Sequence, residues 1–64
     1  MFVVSYVEST EDDSPLKVLA SPFADIEAIE RAAKHRILNG EIPGATGYVV
    51  YGDDGNEVVR WYRA

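Results

Sequence analysis

Hydrophobic and polar positions divide the chain into four short β-type runs around one stretch of helical spacing. Phe2-Val3-Val4-Ser5-Tyr6-Val7 is rich in β-branched and aromatic residues and predicts a first strand. Leu16-Lys17-Val18-Leu19-Ala20 predicts a second, with Leu16, Val18 and Ala20 on one face and Lys17 on the other. Between them, Ser9-Thr10-Glu11-Asp12-Asp13-Ser14-Pro15 is polar and acidic. The two strands are therefore expected to form a hairpin with acids at its tip.

Ile26, Ile29, Ala33 and Ile37 recur at helical spacing and predict an amphipathic helix over residues 24–39. Asp25 or Ser21 can cap its start, with Pro22 tolerated there. Asn39-Gly40, followed by Pro43, stops it. Glu27 with Arg31 and Glu30 with Lys34 are i,i+4 pairs in the favourable orientation. Acids in the first turn and Lys34, His35 and Arg36 near the end match the helix dipole.

Ile42-Pro43-Gly44-Ala45-Thr46-Gly47 is a connecting loop. Tyr48-Val49-Val50-Tyr51 and Glu57-Val58-Val59-Arg60-Trp61-Tyr62 are the last two strands, joined by Gly52-Asp53-Asp54-Gly55-Asn56. The turn admits two registers. A two-residue Asp54-Gly55 turn puts Tyr48, Val50, Val59 and Trp61 on one face. A three-residue Asp53-Asp54-Gly55 turn puts Trp61 with Val49, Tyr51 and Val59. The first is preferred because its face is wholly apolar. Either register pairs Trp61 with Val59, and both are placed in the core beneath Ile26, Ile29 and Ile37.

The expected architecture is α+β: a single domain over residues 1–64, with one antiparallel four-stranded sheet and one helix packed on one face, in the order β-β-α-β-β. One helix covers one side of such a sheet, so the other side faces water or a partner. That side is expected to carry Ser5, Lys17, Arg60 and Tyr62, with Tyr51 or Tyr48 according to register.

Composition narrows the chemistry. Eleven acidic residues against six Lys and Arg give a net charge of −5, which opposes direct contact with nucleic acid or anionic lipid and favours basic partners. With no Cys and one His, thiolate chemistry and Cys- or His-based metal sites drop out. Absence of Cys also suits a reducing cytoplasm. Met1-Phe2-Val3-Val4 lacks the basic and long apolar regions of a signal peptide, and no apolar run is long enough to span a membrane.

His35 lies off the apolar stripe, between Lys34 and Arg36, and reads as a solvated helix-end residue. The clusters Glu11-Asp12-Asp13 and Asp53-Asp54-Glu57 fail as a calcium loop, because the ligand positions counted back from Gly55 fall on Asp54, Gly52 and Val50. Asp and Gly there are what a tight turn requires. No nucleophile motif and no phosphate-binding glycine loop is present. The chain is expected to be no enzyme, with no catalytic residues, no metal and no cofactor.

Two sets of residues remain as binding candidates. Glu11, Asp12, Asp13, Asp53 and Asp54, at the two hairpin tips, could attract a basic partner, and if the two tips, or the Glu8-to-Asp13 run and the helix acids, share one surface, their spacing could imitate a row of phosphates. Tyr51, Arg60 and Tyr62 could form an aromatic-basic platform on the sheet, as RNA-binding modules do, although cross-strand packing accounts for the same residues.

In size, acidity and β-β-α-β-β layout the whole chain resembles small phage-encoded inhibitors of host defence, anti-CRISPR proteins among them. That class is defined by its targets, and no motif and no functional residue carries over from it. The resemblance implies a non-enzymatic inhibitor that occupies a basic, nucleic-acid-binding surface of a partner protein. A self-associating structural or regulatory subunit, such as a homodimer, is the second reading, and an RNA-binding module the third.

Overall fold

The computed structural model describes residues 1–8 and 14–63. Its elements are β1 (Phe2–Val7), β2 (Lys17–Ser21), α1 (Ile26–Leu38), β3 (Gly47–Tyr51) and β4 (Glu57–Tyr62). The strands form one antiparallel sheet in the spatial order β2-β1-β3-β4, so β1 and β3 are central and β2 and β4 are edges. The α+β architecture with β-β-α-β-β order is as the pattern predicts.

Asp25 is the helix cap, its side chain accepting from the Glu27 N–H at 3.1 Å. Ser21 Oγ instead accepts from the Phe23 N–H at 3.2 Å, closing a turn just before the helix. Asn39 caps the other end, and Gly40 follows at φ 71°, a left-handed position that suits glycine.

Cross-strand pairing fixes the buried face. Val4 lies opposite Val50 and Tyr6 opposite Tyr48; Tyr48 and Val50 in turn face Trp61 and Val59. Ile29, Ala33 and Ile37 of α1 close this layer from above, and Ile42 seals its end. The fully buried aromatics are Tyr6 and Tyr48 of the central strands. Trp61 and Val59, expected in the core, are half-buried and pack against it from the edge strand.

The last hairpin combines the two expected registers. Its turn is the three-residue form: Gly52 N–H donates to Asn56 O, and Gly55 sits at φ 80°. Yet its strands carry the apolar face of the two-residue form, with Tyr48, Val50, Val59 and Trp61 together. A register shift between Val50 and Tyr51 reconciles them, leaving Val58 as an extra, bulged residue on β4.

Strand β2 reverses its expected faces. Leu19 lies opposite Val4 on the helix side, whereas Val18 and Ala20 lie opposite Ser5 and Val3 on the open side, and Lys17 pairs with Tyr6 on the helix side. The helix sits closest to β3, and toward β2 only a narrow cleft beside Leu19 remains. One large residue, Leu19, therefore suffices there, and the count of apolar residues per face does not decide orientation. The expected helix ion pairs also give way to other contacts. Glu30 and Lys34 both turn towards the sheet, and among the described residues the ion pairs are Met1 ammonium with Asp53 and Glu57 with Arg60.

Candidate binding surfaces

Glu11, Asp12 and Asp13 lie outside the described residues. The residues flanking that segment sit at one end of the sheet: Val7 pairs with Gly47, and Leu16 N–H donates to Tyr6 O at 2.7 Å. Asp53 and Asp54 sit at the other end, beyond Tyr51, which pairs with Val3. The six-residue length of β1, about 17 Å, separates the ends. The described residues flanking that segment and the Asp53–Asp54 turn thus lie at opposite ends of the sheet.

Asp53 is exposed and pairs with the Met1 ammonium. Asp54 folds back on its own turn, accepting from Asn56 N–H and from Asn56 Nδ2, each at 3.0 Å. The Asn56 backbone hydrogen bond, helped by the side-chain one, holds the Asp54 carboxyl below its ordinary value. Both carboxylates remain at the surface.

Topology sets helix acids at the end of the sheet that holds the Asp53–Asp54 turn. β2 ends at Ser21, opposite Phe2, so α1 begins at the same end of the sheet as the β3–β4 turn. Asp25 and Glu27 therefore join Asp53 and Asp54 there. The helix then runs toward Tyr6, where Arg36 Nη1 donates to the Tyr6 hydroxyl at 3.4 Å. Arg36, Lys17 beside Tyr6 and Arg63 after Tyr62 gather at the far end, with Glu8 and Glu41. Only the crossover from β2 through α1 brings Asp25 and Glu27 to the end that holds the β3–β4 turn, because the residues involved are distant in sequence. Among the described residues no three carboxylates come close enough to hold a metal ion.

Tyr51, Arg60 and Tyr62 do come together, on the face opposite the helix. Arg60 lies across from Val49, donates to the Tyr62 hydroxyl at 3.2 Å, and grips Glu57 with two nitrogens. The Glu57 hydrogen bonds raise the Arg60 pKa and lower that of Glu57. The tyrosine-arginine cluster is therefore paired internally, with no surplus positive charge to offer a phosphate backbone. The Tyr62 ring also lies over Gly47, where an added Cβ would collide with it and with the Trp61 carbonyl. On this face Val49, opposite Arg60, and Ser5, opposite Val49, are buried. On the β2 half of the sheet, Leu16, Val18 and Ala20 are exposed.

The interior polar groups are structural in placement. Tyr48, fully buried, donates its hydroxyl to Glu30 Oε1 at 2.6 Å. His35 is exposed and meets Asn39 Nδ2 at 3.1–3.2 Å. A cleft of about 20 Å³ between α1 and β2 has room for roughly one water molecule. An open trough of about 320 Å³ on the outer surface of α1 is lined by Phe23, Ala28, Arg31, Ala32 and His35. No helix among the described residues is long and apolar enough to cross a membrane.

No protein-family model, no curated protein and no solved structure matches the chain.

Proposed function

We propose that this protein is a small non-enzymatic binding module whose acidic end docks on a basic surface of a partner protein, inhibiting or occupying a nucleic-acid-binding site. The observation that carries the reading is the gathering of Asp25, Glu27, Asp53 and Asp54 at one end of the sheet, where, among the described residues, the Met1 ammonium pairs with Asp53 alone. Such a cluster attracts a basic groove to that end of the molecule. Rim carboxylates held by a cap and a tight turn lose little freedom on binding. The concrete version is anti-CRISPR-type inhibition, in which the acidic end occupies a site on a defence complex that nucleic acid would otherwise fill.

The test is capture of partners from a lysate of the source cell, followed by measurement of on-rate at low and moderate salt. Wild type is compared with a variant carrying Asp25→Asn, Glu27→Lys, Asp53→Lys and Asp54→Asn; the two asparagines keep the cap and the turn. The expected result is a nucleic-acid-binding partner, association that slows as salt rises, and marked loss in the variant. Equal binding by the variant, or association indifferent to salt, overturns the reading.

A further inference from the structure

The two edges of the sheet are defended very differently. β4 carries a bulge at Val58 and the charged Glu57–Arg60 pair, both devices that discourage another strand from adding on. β2 has neither: Lys17-Val18-Leu19-Ala20-Ser21 pairs regularly with β1, and no described strand pairs its outer side. Half of its backbone N–H and C=O groups point away from β1. Between Pro15 and Pro22 its only charge is Lys17.

We propose that β2 pairs with β2 of a second copy, antiparallel about a two-fold axis through Leu19, to give a continuous eight-stranded sheet. The strand is self-complementary in this register. Val18 meets Ala20 of the second copy on the open face, Leu19 meets Leu19 on the helix face, and Lys17 meets Ser21, so no like charges are opposed. The exposed Leu16 and Phe23 lie at the two ends of the seam. The axis is perpendicular to the sheet and puts both helices on one face. Each helix lies closest to β3, two strands in from the seam. A strand from a different protein would find no such match of pattern and charge built into β2 itself.

The seam is short, so the dimer is weak and depends on concentration. Each copy carries a net charge of −5, so salt strengthens the association by screening repulsion. This is the opposite sign to docking on a basic partner, and the two proposals fail separately.

The absence of cysteine makes cross-linking a clean test. Leu19→Cys places two thiols directly opposite each other across the axis, within the 4.4–6.8 Å Cα separation that a disulfide spans. Under mild oxidation it should give a covalent dimer, whereas Val58→Cys at the defended edge should stay monomeric. Sedimentation equilibrium of the wild type should show a monomer–dimer equilibrium that shifts to dimer with salt. Val18→Lys, at an exposed position that spares the core, should abolish it. A wild type that remains monomeric at the highest soluble concentration overturns the proposal, as does a dimer untouched by Val18→Lys. Equal cross-linking at Leu19 and Val58 would do so too.

Discussion

The buried Tyr48 hydroxyl donates to Glu30 Oε1 at 2.6 Å, tying a central strand to the helix across the core. A hydrogen bond to a charged acceptor is worth more than a neutral one. Tyr48→Phe should cost about 2 kcal/mol, read from urea melts; a change within error would show that water replaces the hydroxyl at no cost.

The same contact predicts an alkaline limit. Burial first, and then the Glu30 hydrogen bond, push the Tyr48 phenol above its ordinary value of about 10. Below pH ~10 the folded and unfolded phenols are both protonated and the contribution is intact. Above it the unfolded chain releases a proton that the folded chain retains, so stability falls with rising pH. In melts recorded between pH 8 and 11, Tyr48→Phe should flatten that fall. An identical slope in both proteins would assign the alkaline loss to other groups.

Trp61 stacks on Tyr48 at 5.6 Å between centroids, with Lys34 Nζ 5.5 Å from its ring. Its place on an edge strand leaves it half-buried. Trp61→Ala should cost about 3 kcal/mol, the low end for a large aromatic. Lys34→Ala should cost about 0.5 kcal/mol through the lost cation–π contact. A melting temperature unmoved by Trp61→Ala would contradict this packing.

Gly47 is required by a neighbour, not by its backbone angle. A Cβ there meets the Tyr62 ring and the Trp61 carbonyl. Gly47→Ala should destabilise by about 1–3 kcal/mol through overpacking. Adding Tyr62→Ala should relieve only part of the strain, because the carbonyl cannot move away. Full rescue by the double variant would show the backbone to be more pliable than this.

His35→Ala should leave both stability and partner binding within about 0.5 kcal/mol of wild type, as befits an exposed helix-end side chain. Loss of binding with the fold intact would place the helix end in an interface.

What could be read from the residues follows from where burial is strong. The stripe Ile29-Ala33-Ile37 and the strands bearing Tyr6 and Tyr48 form the core, and there pattern and structure agree. Reading failed where burial is weak or where a choice is nonlocal. Leu19 against Val18 and Ala20 is decided by pairing with Val4, not by the strand's own alternation. The last hairpin escaped because a bulge joins one turn to the other register, a combination that no regular ladder contains. Of the binding candidates, Tyr51, Arg60 and Tyr62 are joined as their alternation suggests. The acidic pair Asp53-Asp54 gains Asp25 and Glu27 through the crossover, and Glu11, Asp12 and Asp13 lie outside the described residues.

The strand order also governs how the protein is born. Val4 and Val50 are neighbours in the centre of the sheet yet stand 46 positions apart in the chain. A nascent chain that has emerged only as far as Gly40 holds a hairpin and a helix, but β3, which fills the gap between them, is still missing. Tyr6 and Ile29 then have no Tyr48 or Val50 to pack on. Native structure therefore waits until β3 has been made, and the undefended edge of β2 is available to other nascent chains throughout that wait.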